Sequence, residues 1–296
     1  MSKIEKFAEN LKSYSPLTKK NYICQVNIFL NNYKKVNKDN VIKFIQEKNT
    51  ILRKSAIKKF CEQFYPEIKI NWKKIKTKKT ERTEYQTISY EELLLLLKKI
   101  KKHDIIELTK KFKHLKNLKE KEVEKYGSNL FQQLKVSLMI IFDTAARIRA
   151  VLRLRKRNLK ILKNEIKLEM IEKGNKKLFG KITTETFNHL NKLSSSLNDD
   201  DYIFFHKKHI STDDIDLKYY ELWSILKNIS RKILGIGISF HWVRRGSGHH
   251  IYDDSEQDIV ATAEFMGHKS SAQTQKYLKI VSKKLDKVLR KQKRDW

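Results

Sequence analysis

Gly267-His268-Lys269-Ser270-Ser271-Ala272-Gln273-Thr274-Gln275-Lys276-Tyr277 is the stretch that decides how this chain is read: a tyrosine stands nine residues beyond a glycine–histidine pair. Upstream lies His241-Trp242-Val243-Arg244, and further upstream an apolar helix, Leu130–Phe142, runs into Thr144-Ala145-Ala146-Arg147-Ile148. Between these segments, Glu165–Ile171 sets Ile166, Leu168 and Met170 against Lys167 and Glu169, the alternation of a half-buried strand. Lys173-Gly174-Asn175-Lys176 supplies turn residues, and Lys177–Ile182 can return as a second strand of a hairpin. Arginine, lysine and histidine side chains therefore recur in order ahead of Tyr277, one of 12 tyrosines in the chain.

The charge balance narrows the partner. Lys+Arg is 65 against 34 Asp+Glu, a formal net charge of +31 spread along all 296 residues. A field of that sign gathers polyanions, nucleic acid first among them. A merely solvated lysine-rich surface is the alternative. With 40% hydrophobic residues the chain can still bury a sizeable core. Cys24 and Cys61 show no metal-ligand spacing and read as buried free thiols in a reducing compartment. His249-His250 with Asp253-Asp254 matches no known ligand set, and His250 reads as a buttress of its helix. The longest apolar runs, Leu93–Leu97 and Val136–Phe142 (interrupted by Ser137), are too short to cross a bilayer, so a cytoplasmic protein is expected.

Two prolines and eight glycines leave few breaks, so long helices are expected. Four short helices are read in the first 65 residues, on the faces Ile4/Phe7/Ala8/Leu11, Tyr22/Val26/Phe29/Leu30, Val41/Ile42/Phe44/Ile45 and Ile57/Phe60/Cys61/Phe64. Beyond Pro66 the apolar residues lose their face. Residues 67–86 read as an exposed basic linker, either merely solvated or a nucleic-acid-contacting arm through Lys73, Lys74, Lys76, Lys78, Lys79 and Arg82. Ser89-Tyr90-Glu91-Glu92 opens a helix. Residues 101–127 read as a charged helical arm, and Tyr202–Phe205 as a possible short strand. The fold class is thus mainly α with a small antiparallel β-sheet, divided into residues 1–66, the linker 67–86, a domain at 87–280 and a basic amphipathic tail at 281–296.

At this point the chain resembles the tyrosine recombinases, the family of phage-type integrases and Xer recombinases. That family carries an arginine after a tight turn, a hairpin lysine, a His-x-x-Arg box, a Gly-His pair and a tyrosine nine residues on. All five stand here in order. The resemblance implies a four-helix core-binding domain followed by a catalytic domain of the tyrosine recombinase fold. It also implies site-specific cutting and rejoining of double-stranded DNA through a 3′-phosphotyrosyl intermediate. Tyr277 would be the nucleophile, and Arg147 and Arg244 would clamp the non-bridging oxygens. His241 would be the base, Lys173 the general acid for the 5′-oxygen and His268 a phosphate ligand. Lys176 and Lys177 sit beside Lys173 and could substitute for it. No metal or other cofactor is called for, because the cations are side chains. A homodimer on one site and a homotetramer in synapse are implied, with the tail packing on a neighbour or on its own domain.

Departures from the pattern matter. The usual glycine before the first arginine is Ala145. The acid often found three positions after that arginine is Ala150, so another group must orient Arg147. Arg245 replaces a common histidine. A type IB topoisomerase-like relaxase and a non-catalytic DNA-binding protein on a recombinase scaffold are the alternatives.

Overall fold

In the computed structural model, residues 1–14, 16–48, 50–76, 86–163, 165–172, 177–268 and 270–278 are described. The chain forms two compact units, Met1–Glu84 and Tyr85–Trp296.

The first unit holds α1 (Lys3–Asn10), α2 (Pro16–Asn32), α3 (Lys38–Lys48) and α4 (Ile51–Phe64). Ser2 and Glu5 cap α1 reciprocally, each side chain accepting the other's backbone N–H at 3.2 and 2.7 Å. Phe7, Leu11, Val26, Phe29, Phe44, Ile57 and Phe60 are fully buried at the helical spacing. Each such side chain contributes about 1.5–3 kcal/mol. Arg53 is buried among them, its guanidinium 3.9 Å from the centre of the Phe44 ring and donating to the Phe44 carbonyl at 2.7 Å.

Two expectations need correcting in this unit. Cys61 is buried and desolvation pushes its thiol up to about 12, but Cys24 lies on the exposed side of α2. Both are free thiols. The segment after Pro66 is also not wholly a solvated linker. Ile70, Trp72 and Ile75 pack on the helical core, and Lys54 Nζ donates to the Ile75 carbonyl at 2.7 Å. The irregular spacing that hid a face is that of a chain pinned at separate points. Lys73, Lys74 and Lys76 stand exposed between and beyond those anchors. Lys78, Lys79 and Arg82 lie outside the described residues.

The second unit runs α5 (Tyr90–Lys99), α6 (Lys102–Thr109), α7 (Glu120–Thr144), α8 (Ile148–Val151), β1 (Leu159–Leu162), β2 (Glu165–Ile171), β3 (Lys177–Ile182), α9 (Thr184–Ser194), α10 (Thr212–Leu234), α11 (Phe240–Asp254), α12 (Ile259–Phe265) and α13 (Ser271–Leu278). The sheet is antiparallel in the order β1-β2-β3, with Leu168 opposite Gly180 and Met170 opposite Leu178. Its third strand, β1, is an addition to the expected hairpin. Tyr202 makes only isolated bridges to Arg155 and Lys207, so residues 202–205 form no strand. Nor is the charged stretch 101–127 an arm. Ile105, Thr109, Leu115 and Val123 are buried, and α6 packs along α7. Glu221 of α10, itself buried, accepts from the Tyr126 hydroxyl at 2.8 Å and pairs with His114 Nε2 at 2.9 Å, tying this stretch to α10.

The 25-residue helix α7 contacts α6, α9, α11 and β3 and carries the core to its C-terminus. There β3 approaches so closely that a Cβ on Gly180 would sit 2.4 Å from Thr144 Cγ2. Among the described residues no helix is long and apolar enough to cross a membrane.

Candidate active site

The site starts where α7 ends. Ala145 closes the helix in the left-handed region at φ 48°, ψ 26°, a conformation costing a non-glycine residue about 1–2 kcal/mol. Its methyl is buried against Tyr252, Met266 and Leu278, which holds it there. The reversal delivers Arg147 to the N-cap of α8, with its side chain about one third exposed.

Arg147 meets a carboxylate absent from the sequence-based expectation. Glu172 directly follows β2, and its side chain is 2% exposed. Its Oε1 accepts from the Arg147 backbone N–H at 3.2 Å and from Arg244 Nη1 at 3.0 Å, while its Oε2 pairs with Arg147 Nη1. A signal was present in the sequence. Ile166, Leu168 and Met170 share the inner face of β2, and the same alternation puts Glu172 next on that face. A carboxylate at a core-facing position needs a cationic partner.

Arg244 and His241 share one side of α11 at a spacing of three residues. Arg244 is 2% exposed and donates Nη2 to the Met266 carbonyl at 2.9 Å. Desolvation lowers its pKa, and the nearby phenol of Tyr277 opposes that shift. Arg147 is likewise lowered, by desolvation first and by the charge of Arg244 second. The ring of His241 reaches solvent, yet its pKa falls below the ordinary 6.5, through desolvation and then the charges of Arg244, Arg245 and Arg147. Solvent at the open edge weakens the first cause, so the direction rests on the three charges. Ser247, one turn on, donates to the Phe142 carbonyl and fixes α11 to α7.

After α12, Gly267 turns the chain at φ 63°. His268 follows, its Nδ1 2.8 Å from the hydroxyl of Thr274, which is fully buried on α13. Tyr277 is one turn beyond Thr274. Its ring meets the His268 ring edge-on at 5.3 Å, and the Arg245 guanidinium lies 5.2 Å from its centre. Arg245 also donates to the Gln86 carbonyl at 3.1 Å. The Tyr277 hydroxyl is buried, and its interaction with the Arg244 guanidinium is among the influences on that arginine.

The structure thus gathers Arg147, His241, Arg244, His268 and Tyr277, and adds Glu172, Thr274 and Arg245 to them. Lys173 and Lys176 lie outside the described residues, as does the tail from residue 279. His250 stacks on Tyr90 with ring centres 5.3 Å apart and packs against Phe142, a buttress of α11 against α5 and α7. Among the described residues no group of three or more His, Cys, Asp or Glu is placed to hold a metal ion.

Several solved structures share this fold. XerH site-specific recombinase, bound to a palindromic difH substrate in a post-cleavage complex, superposes with a TM-score of 0.60 at 14% identity, covering 97% of this chain and 83% of that one. A lambda integrase dimer bound to a COC′ core site gives 0.58 at 12% identity, covering 93% and 76%. The Tn1549 transposon integrase in complex with transposon right-end DNA gives 0.54 at 9% identity, covering 94% of each. No curated protein matches the chain. The sequence model of the phage integrase family matches residues 115–283, more than half of the 296 and every gathered residue named above. On that match the chain belongs to the phage integrase family and is a tyrosine-type site-specific recombinase.

Proposed function

We propose that this protein cuts and rejoins duplex DNA with Tyr277 as the nucleophile, through a 3′-phosphotyrosyl intermediate. The observation that carries the reading is a buried phenol oxygen set beside the Arg147 and Arg244 guanidiniums and the edge of the His268 ring. A phenol is a weak acid, so it needs a base and a positive field to act as a nucleophile at neutral pH. His241 accepts its proton, since the surrounding arginines keep the imidazole neutral. Tyr277 Oη then bonds to phosphorus as the bond to the 5′-oxygen breaks. That oxygen leaves with a proton from Lys173.

Arg147 and Arg244 stabilise the added charge on the non-bridging oxygens. Preorganised donors of this kind are worth about 3–4 kcal/mol each in the transition state. With Nδ1 held by Thr274, His268 presents Nε2 to the phosphate. Attack by the 5′-hydroxyl of a second strand reverses the chemistry and frees Tyr277, so no external energy source enters.

Lys73, Lys74 and Lys76, together with Lys78, Lys79 and Arg82, bind backbone phosphates, and binding weakens steeply with salt. Two copies occupy one site and four form the synapse.

A duplex library randomised about a single nick, labelled on the cleaved strand, tests the reading whatever the target sequence. Wild type is expected to form a covalent adduct that survives denaturation, and Tyr277→Phe none. An adduct of undiminished yield in Tyr277→Phe would sink the assignment.

A further inference from the structure

Glu172 is the one carboxylate among the described residues shown bound to both guanidiniums. Its two oxygens accept three donors from separate elements: the backbone and side chain of Arg147 at the start of α8, and the side chain of Arg244 on α11. The carboxylate thereby bridges α8 and α11. Without it the two guanidiniums would face each other as like charges, and the charge of Arg244 is, after desolvation, the second cause of the lowered pKa of Arg147. A carboxylate that is 2% exposed is also held by this pairing rather than by water.

We propose that Glu172 is a positioning residue for the cleavage step: it pre-aligns Arg147 and Arg244 before DNA binds, in place of an acid at Ala150. One carboxylate against two guanidiniums leaves a net charge of +1, so the pair keeps an excess positive charge for the phosphodiester. Because Glu172 immediately precedes Lys173 in the sequence, the same contact anchors the chain up to that lysine. The role belongs to alignment, not to charge delivery. Losing Glu172 should therefore lower the rate of cleavage without weakening the hold on DNA, because removing a negative charge cannot reduce attraction to phosphate. A displacement of reacting groups by about 1 Å is enough to cost about 10²-fold in rate.

This inference rests on the phosphotyrosyl reading above, and wild-type protein separates the two. If wild type forms no adduct with the nicked library, that reading fails. If wild type does, the comparison of variants decides the role of Glu172. Glu172→Gln keeps the shape and removes the charge. It is expected to bind the duplex library within about threefold of wild type, while single-turnover adduct formation falls about 10²-fold. Glu172→Asp, which keeps the charge on a shorter arm, is expected to recover part of that rate. An unchanged rate in Glu172→Gln overturns the proposal, as does a parallel loss of binding and cleavage, which would mark a purely structural residue. A faster rate overturns it too, because the carboxylate would then be occupying the place of the phosphate. Should Glu172→Gln fail to fold, Glu172→Asp decides: slower cleavage with retained binding supports the role, and wild-type cleavage refutes it.

Discussion

Arg244→Lys isolates what a buried planar fork contributes beyond its charge. In the structure Arg244 spends one amino group on Glu172 Oε1 at 3.0 Å and the other on the Met266 carbonyl at 2.9 Å. The first is a charge-assisted bond worth about 1.5–3 kcal/mol, the second an ordinary one worth about 1 kcal/mol. A lysine ammonium carries the same charge on a compact head and cannot reach two partners held in a fork geometry. Keeping one of the two bonds, the variant should lose about 1–3 kcal/mol of folding stability. Catalysis should suffer more. A bidentate donor to the transition state contributes about 3 kcal/mol, and each 1.36 kcal/mol is tenfold, so adduct formation should slow by about 10²-fold. The assay is single-turnover adduct formation at saturating nicked duplex, with thermal unfolding and DNA affinity measured alongside. Affinity should hardly move, since the net charge is unchanged. A variant that cleaves within tenfold of wild type, with unaltered melting, would refute the claim that the fork geometry of Arg244 matters.

Two further outcomes follow from other parts of the site. A Cβ on Gly246 would lie 2.1 Å from the Ile88 carbonyl oxygen, so Gly246→Ala must push α11 away from the backbone ahead of α5. Overpacking of this kind costs about 1–3 kcal/mol, and α11 carries Arg244 two residues earlier. Lower stability and slower adduct formation are expected together; an unchanged melting point would contradict the close approach. For His241, whose pKa lies below 6.5, the neutral base persists on acidification past the ordinary value. Its folded-state pKa being depressed, the unfolded chain takes up the proton first. Its share of stability is therefore present above 6.5 and lost as pH falls towards the lower folded value. The second-order rate of adduct formation, which reports the free enzyme, should stay level to pH 6.5 and decline below it. A limb centred above 6.5, or one retained in His241→Gln, would exclude His241 as the base.

What can be read from the chain alone is what depends on near neighbours. The faces Phe7/Leu11, Val26/Phe29 and Phe60/Cys61 follow from one helical period, and β2 and β3 span the residues that the alternation and the turn mark out. The order of Arg147, His241, Arg244, His268 and Tyr277 is equally open to reading, because the motifs are local. Residues 101–127 mislead for the same reason: Ile105, Leu115 and Val123 are spaced irregularly among lysines, and only their burial in the folded chain reveals them as core. Ile70, Trp72 and Ile75 repeat that lesson in the first unit.

Tertiary structure alone decided how the arginines are held. Ala150 signals that some group must orient Arg147, and the β2 alternation marks Glu172 as a core-facing carboxylate, but nothing local pairs it with Arg147, 25 residues away, or with Arg244, 72 residues away. Thr274 as the partner of His268, Arg245 over the Tyr277 ring, and the left-handed turn at Ala145 belong to the same class. Sequence determines which residue types are available and the period on which each face repeats. Pairing a buried carboxylate with guanidiniums from two distant elements requires all three to be desolvated together, and that condition exists only in the folded chain.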